Sequence, residues 1–273
     1  MPLIHRAGKE AQIDFFEVAV ELGDERVKAW KFLLRLMHSG REFAWLYERC
    51  DQLAFFDGHV RVFSCLGEVV KRCIYDNLTP AVRKIIGARR ELNRRFQALV
   101  SHYLFEPCFA RIGEGHDKGG VESRGKAIRL QRLTPIPRDE SLEAVSRALL
   151  ADLELAFSGQ RDSTGKSANE LWAEERARLM PLPGSAFEVS RTVTVEISSR
   201  SMVLIEGAWY SVPSRWARLR ATAYIGVNEV RIVCMGKSVT IGGRASVSAG
   251  CVIVTIFPSW RKNRRRCATS RPN

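Results

Sequence analysis

Gly115-His116-Asp117-Lys118-Gly119-Gly120-Val121-Glu122 is the stretch around which the rest of the chain reads as organised. Glycines and a lysine precede a lone acid, and a helical pattern then runs from Val121 towards Leu133. A glutamate in the first turn of a helix sits where the helix dipole favours negative charge. Its neighbours Lys118, Arg124 and Lys126 are cations. An acid isolated among basic residues suits a metal ligand beside a polyanion. Two further acids can join it. Asp14 lies in the strand-like run Ala11-Gln12-Ile13-Asp14-Phe15-Phe16, and Asp76 follows Lys71-Arg72-Cys73-Ile74-Tyr75, an apolar run that stops in a turn at Asn77. Three acids on two strand ends and one helix start would meet at one point.

Outward from these acids the pattern is mixed α/β. Residues 11–22 read as a first strand, closed by the turn signal Gly23-Asp24. Val27 to Met37 is a dense apolar run that periodicity leaves open between strand and helix. Its place between Gly23-Asp24 and Ser39-Gly40 favours a second strand, and Glu42 to Tyr47 would be the third of an antiparallel meander. Arg49 to Leu66 carries Leu53, Phe56, Val60 and Phe63 at helical spacing, a stripe that reads as core. Lys71 to Tyr75 is a short strand leading into Asp76, and residues 81–92 form a hairpin turning at Gly87. Asn93 caps a helix that runs to Tyr103. Glu106 to Ile112 is a last strand before the loop Gly113-Glu114-Gly115. Three antiparallel strands, then helix, strand, helix, strand and helix, is a ribonuclease-H-like α/β order, assigned to residues 1–135.

Thr134-Pro135-Ile136-Pro137 interrupts the pattern, and two helices, Asp139 to Phe157 and Ser167 to Met180, make a helical linker over 136–184. The loop between them, Gly159-Gln160-Arg161-Asp162-Ser163-Thr164-Gly165-Lys166-Ser167, ends like a phosphate-binding loop. Its glycines are separated by five residues where that motif needs four, and no strand precedes it, so a nucleotide site is rejected. After Pro181-Leu182-Pro183-Gly184 the composition shifts to Val, Ile, Thr, Ser and Tyr. Strands at Thr192–Ile197, Met202–Ile205, Ala208–Val212, Leu219–Tyr224 and Glu229–Met235 suggest a small all-β barrel over 185–257, for DNA binding or assembly. Arg215, Arg218, Arg220 and Arg231 would give it either a DNA-phosphate face or a merely solvated one. Val252 to Phe257 reads as an accidental apolar run rather than a closing strand, and 258–273 as a basic disordered tail.

Composition narrows the function classes. The 273 residues are enough for one or two domains with a core. No apolar run reaches the ~20 residues of a membrane span, and the start lacks a signal-peptide core, so a cytoplasmic protein with no membrane partner is expected. Seven cysteines with no C-x-x-C spacing and five scattered histidines argue against structural zinc. The net charge is +13, but no acid follows Glu229 while nine Lys or Arg do, which leaves +4 for residues 1–229. Nucleic acid is the favoured partner.

In the ribonuclease-H-like layout Asp14 falls on the central strand, Asp76 at the end of the adjacent one, and Glu122 faces both from a helix. Such a trio can hold two Mg²⁺ (or Mn²⁺) ions ~3.5–4 Å apart for phosphodiester chemistry. Spacing alone is weak support, because the chain has thirty acids. The local sequences add to it. Ala11-Gln12-Ile13-Asp14-Phe15, Tyr75-Asp76-Asn77-Leu78 and Asp117-Lys118-Gly119-Gly120-Val121-Glu122 resemble the three signature blocks of the DDE integrase-like transposases. Their order and flanks look most like the large, IstA-type subunit of two-component insertion sequences. The likeness continues through Arg95-Phe96-Gln97-Ala98-Leu99, Leu171-Trp172-Ala173-Glu174-Glu175-Arg176 and Tyr210-Ser211-Val212-Pro213, covering about residues 8–240.

The resemblance implies a transposase catalytic core that cleaves DNA at the ends of an element and joins the new 3′-OH to target DNA. Asp14, Asp76 and Glu122 carry over as catalytic metal ligands. Lys118 carries over as a phosphate contact, with Asn77 and Lys126 as lesser DNA contacts. It further implies a homo-oligomer on DNA and an AAA+ ATPase helper subunit. The chain opens almost at the first catalytic strand, and the likeness fades beyond Val239. A truncated copy with an altered 3′ reading frame is therefore expected. The competing readings are a non-catalytic DNA-binding remnant that interferes with transposition, and a plain ribonuclease-H-type nuclease, against which the barrel argues.

Overall fold

β1 (Glu10–Leu22) is the strand on which the first half of the protein is assembled. The structure, a computed structural model, describes residues 5–75, 82–86, 89–109, 133, 135–162, 164–242 and 253–254. The chain divides into two units, Met1–Glu188 and Val189–Asn273.

In the first unit, β1 pairs along its whole length with antiparallel β2 (Glu25–Leu36), from Ala11↔Leu36 to Leu22↔Glu25. The two-residue turn between them needs Gly23 in the left-handed region, at φ 61°. β3 (Glu42–Tyr47) pairs antiparallel with β2. The Val27–Met37 run is thus a strand. α1 (Gln52–Leu66) follows, capped by the Asp51 carboxylate, which accepts from the Ala54 N–H at 2.9 Å. β4 (Glu68–Val69) is short, and β5 (Arg72–Tyr75) returns parallel to β1. β6 (Val82–Ile86) and β7 (Arg89–Leu92) make the expected antiparallel hairpin. Asn93 caps α2 (Arg94–Tyr103), its Oδ1 accepting from the Arg95 N–H at 2.9 Å. β8 (Glu106–Phe109) adds parallel to β5. The resulting order, β3-β2-β1-β5-β8, with an antiparallel meander continued by parallel strands, is the ribonuclease-H-like arrangement.

Both faces of the sheet are covered, and β1 shows how. Ala11, Ile13 and Phe15 are buried, then the phase shifts and Val18 and Val20 are buried instead. Every residue of β1 from 11 to 22 keeps its partner on β2, so the shift is no bulge. Successive strand residues face opposite sides, so the two sets belong to opposite faces. On one face Phe15 meets Phe32 edge-on at 6.1 Å, and Phe32 meets Phe55 of α1 at 6.3 Å. On the other face Val18 and Val20 cluster with Ala29, Leu46 and Val145.

Val145 belongs to α3 (Leu142–Ser158), which begins at the Ser141 cap. Asp139, expected inside this helix, instead lies in β9 (Arg138–Asp139), which pairs parallel with the far end of β1. α4 (Ala168–Arg176) opens with a full capping box between Ser167 and Glu170. It is followed by β10 (Met180–Pro181), which pairs with β4, so the expected helix to Met180 ends four residues early.

The second unit is all β. β11 (Arg191–Glu196), β14 (Arg220–Ile225), β15 (Glu229–Cys234) and β16 (Lys237–Gly242) form one antiparallel sheet. β12 (Met202–Ile205), β13 (Ala208–Ser211) and β17 (Ile253–Val254) form another. β16 is absent from the expected strands; the turn that creates it puts Met235 and Gly236 at φ 50° and 70°. β17 also corrects an expectation. Ile253–Val254 pairs in parallel with Trp209–Tyr210, so part of the apparently accidental apolar run lies along the edge of β13, whose backbone groups have no other strand partner on that side among the described residues. Residues 258–273, expected to be disordered, lie outside the described residues.

Candidate functional site

Asp14 stands on the central strand, opposite Leu33 of β2, and is half-buried. It lies on the face that carries Phe16 and Val18, away from the aromatic core under α1. Its position along β1 is defined by β5. The parallel ladder runs Glu10↔Arg72, Ala11↔Cys73, Gln12↔Ile74 and Ile13↔Tyr75, and it ends there. Asp14 is the next residue after that last pair.

Tyr75 is the better anchored of the pair. It is fully buried, with rings of Phe96 and Phe109 at 5.7 and 5.3 Å. Its hydroxyl meets Nε2 of His59 at 2.9 Å. Burial, then the neighbouring Cys73 thiol, pushes the Tyr75 phenol well above its usual range, so it stays protonated. Burial pushes the His59 imidazole down to about 4, against the opposing effect of the Phe55 carbonyl, so it stays neutral. The strand end leading out of Tyr75 is therefore held by uncharged hydrogen bonds inside an apolar layer.

Of the other site residues expected from sequence, Asp76, Asn77, Lys118, Glu122 and Lys126 lie outside the described residues. Among the described residues no three His, Cys, Asp or Glu side chains group as a metal ion requires. Arg215 and Arg218 are described, in the second unit. Both are exposed and flank Trp216, which is buried in the 3-10 turn Ser214–Trp216 between β13 and β14. Arg218 takes a left-handed φ of 65°, and its N–H donates to the Ile197 carbonyl at 3.0 Å. The other two arginines of the expected basic face are engaged. Arg220 pairs with Glu196 at 3.1 Å, and Arg231 stacks 4.5 Å over Tyr224.

The rejected phosphate loop is filled by its own acid. Asp162 accepts from the Thr164 hydroxyl at 2.7 Å, the Thr164 N–H at 2.8 Å and the Lys166 N–H at 2.9 Å. These bonds, the Thr164 hydroxyl first, hold the carboxyl below its usual range. The loop is thus satisfied by a carboxylate where a phosphate would have to sit.

One residue near Asp14 escapes a reading of the sequence. Lys31 is 2% exposed and sits opposite Phe16, its ammonium 5.8 Å from that ring. Since Leu33 is opposite Asp14, Lys31 is the diagonal neighbour of Asp14 on the same face. The available signal is a lone lysine inside the apolar run Ala29-Trp30-Lys31-Phe32-Leu33-Leu34.

The chain is similar to known transposases. The family model of the Mu transposase C-terminal domain matches residues 182–245. A transposase of Aminobacter aminovorans is 31% identical over 247 residues, which cover 88% of this chain and 47% of that protein. The transposase for insertion sequences IS1326/IS1353 of Pseudomonas aeruginosa is 29% identical over 241 residues, covering 88% and 47%. The transposase for insertion sequence element IS21 of the same organism is 27% identical over 259 residues, covering 93% and 66%. The chain spans about half the length of the first two of these relatives. A chain of the simian T-cell lymphotropic virus intasome superposes with a TM-score of 0.46 at 13% identity, over 94% of this chain and 82% of that one. The fold itself is defined by the sheet order. By sequence the chain is similar to transposases of insertion sequences, that of IS21 among them. No helix among the described residues is long and apolar enough to cross a membrane.

Proposed function

We propose that the chain is the catalytic core of a DDE-type polynucleotidyl transferase that cleaves the ends of an insertion sequence and joins them to target DNA. Asp14, Asp76 and Glu122 are its metal-binding carboxylates. One observation carries this reading: the register of β1 and β5. Ile13 and Tyr75 are direct partners at the end of a parallel ladder. Asp14 and Asp76 are the residues that follow them in the chain. Neighbouring strands are about 4.8 Å apart and consecutive Cα atoms about 3.8 Å, which is the reach this reading requires of the two acids.

The donor chemistry fits Mg²⁺ or Mn²⁺. Asp14 offers a hard carboxylate on a strand hydrogen-bonded along one side by β2 and, up to its own position, along the other by β5, so the ligand is held in place before any ion arrives. Two such ions, when bound, supply activation of the attacking oxygen and charge stabilisation at the scissile phosphate. In this reading the His59–Tyr75 bond steadies the strand end that Asp76 follows in the chain, and Glu122 completes the ligand set. Lys118, Lys126 and Asn77 contact the DNA beside it. Arg215 and Arg218 bind phosphates from the second unit. The unit assignments are 1–135 catalytic, 136–184 helical linker and 185–257 DNA binding or assembly. The protein works in the cytoplasm as a homo-oligomer on DNA, with an AAA+ ATPase helper.

The test is strand transfer in a complex reconstituted on element-end DNA with Mg²⁺. Glu122→Gln should abolish product while DNA binding stays within about twofold, since a single neutral substitution leaves the phosphate contacts in place. Strand transfer that survives Glu122→Gln removes Glu122 from the ligand set.

A further inference from the structure

The first unit contains an open cleft of about 650 Å³ lined by four cations, Arg6, Lys9, Lys71 and Arg178, together with apolar residues of the 177–181 segment. No carboxylate among the described residues lines it. Three separate stretches build it: the turn before β1, the residue before β5, and the connection from α4 to β10. They are locked together. Gly8 sits at φ +66°, and a Cβ there would come within 2.7 Å of the Arg178 backbone. The pairing of Met180 with Val69 fixes the far wall against β4.

The charges around the cleft fall into two groups. Three of the nearby acids are paired with neighbouring residues. Glu10 pairs with His5 at 3.2 Å and Arg72 at 3.3 Å, Glu106 pairs with Arg72 at 2.9 Å, and Glu68 pairs with Arg176 at 3.4 Å. The four lining cations have no ion pair among the described residues, and all four are exposed. Four like charges around one concavity repel one another, and an anion that enters relieves that repulsion. The donors are long, flexible side chains. That suits a charged polymer lying across it better than one small anion fixed at a point.

We infer that this cleft binds the sugar-phosphate backbone of duplex DNA, without regard to sequence and away from the chemistry. The inference rests on the reading of the chain as a DNA-processing enzyme. Lys9 precedes Asp14 by five residues, about 17 Å along an extended strand. At about 3.4 Å per nucleotide on each strand, that is some five nucleotides from the reacting phosphate. The cleft therefore holds DNA flanking the cut and adds affinity without taking part in the reaction.

The test uses the full chain and a 30-base-pair duplex of random sequence, with affinity measured by fluorescence anisotropy across a KCl series. Two double variants, Arg6→Gln/Lys9→Gln and Lys71→Gln/Arg178→Gln, are compared with the exposed control Lys28→Gln/Arg147→Gln, and all are checked by circular dichroism. Neutralising one phosphate-binding cation should lower the slope of log affinity against log salt by about 0.9, so each cleft variant should fall by up to ~1.8. The control should match the wild type. A wild-type slope retained in both cleft variants, or an equal fall in the control, overturns the inference and leaves the proposed function standing. A wild-type chain that does not bind the duplex overturns both.

Discussion

The Tyr75 hydroxyl lies 2.9 Å from His59 Nε2, while Nδ1 of the same ring lies 2.7 Å from the Phe55 carbonyl oxygen. A carbonyl only accepts, so Nδ1 carries the proton, and Nε2 accepts from the phenol. The bond joins the middle of α1 to the last residue of β5, the residue before Asp76. His59 is also enclosed by the rings of Phe55 at 4.5 Å, Phe32 at 5.2 Å and Phe105 at 5.9 Å. Protonating it would place a charge in an apolar layer and remove the acceptor that Tyr75 uses.

This gives a pH dependence with a defined sign. The folded imidazole titrates at about 4 against 6.5 when unfolded. The unfolded chain therefore binds more protons between those values, and stability falls as pH drops through that window. The stability is fully present above pH 6.5, and the complete loss is about 3 kcal/mol at 1.36 kcal/mol per pH unit. Urea unfolding at pH 7.5 and 5.0 should show roughly 2 kcal/mol of this difference. A His59→Leu variant, less stable at neutral pH, should lack that component of the slope. An identical slope in the variant would show that His59 is not the titrating group.

Asp14→Asn should keep the fold, because the amide replaces a half-buried carboxylate of the same shape on a fully paired strand. Its effect should fall on metal binding. Mg²⁺ should raise the melting temperature of the wild type, as any ligand of the native state does, and this rise should vanish in the variant. Calorimetric titration should show at least a tenfold weaker Mg²⁺ affinity, about 1.4 kcal/mol. Equal metal-induced stabilisation in both proteins would exclude Asp14 as a ligand.

Gly58 lies in α1 with Phe32 directly against it. A Cβ there would stand 2.5 Å from the Phe32 ring. Phe32 is fully buried between Phe15 and Phe55 and has no room to retreat. Gly58→Ala should therefore destabilise by about 1–3 kcal/mol, although alanine is the better helix former by about 1 kcal/mol. Chemical denaturation measures it. A more stable variant would mean that α1 can move off β2 at little cost.

Glu175 is fully buried in α4, and its Oε2 accepts from the Ser39 N–H at 2.8 Å in the turn between β2 and β3. Its Oε1 has no hydrogen-bond partner among the described residues. Glu175→Ala leaves a buried N–H unsatisfied and should cost about 1–3 kcal/mol. Glu175→Gln keeps an acceptor for Ser39 and removes the carboxylate, so it should stay within about 1 kcal/mol of the wild type. A glutamine variant as damaged as the alanine one would show that the charge itself is required.

Local pattern made much of the first unit legible. The meander, the strand at Arg72–Tyr75, the hairpin at Val82–Leu92 and the Asn93 cap all follow from apolar spacing and turn residues within a short window. Element ends were less legible, because caps compete with propensity. Asp51, Ser141 and Ser167 each take a backbone N–H and start their helices later than the apolar periodicity implies. The site was legible only in part. Asp14 stood out through the residues around it, whereas Lys31 reads as an interruption of a core strand until its cross-strand partner is known.

The sequence by itself determined which residues are apolar, where the chain turns, and which short blocks resemble the transposases, because these depend on neighbours within a few positions. Only the tertiary structure decided that β1 changes its buried face between Phe15 and Val18, since α1 and α3 cover opposite faces of the same strand. It also decided the two-residue pairings of β4 with β10 and of β13 with β17, which are too short to leave a periodic trace. The basic cleft belongs to the same class. Arg6, Lys9, Lys71 and Arg178 are scattered along the chain, and only long-range strand pairing brings them together while three of the neighbouring acids are paired with Arg72 and Arg176. Such placement depends on contacts between distant segments, and a local pattern carries no record of them.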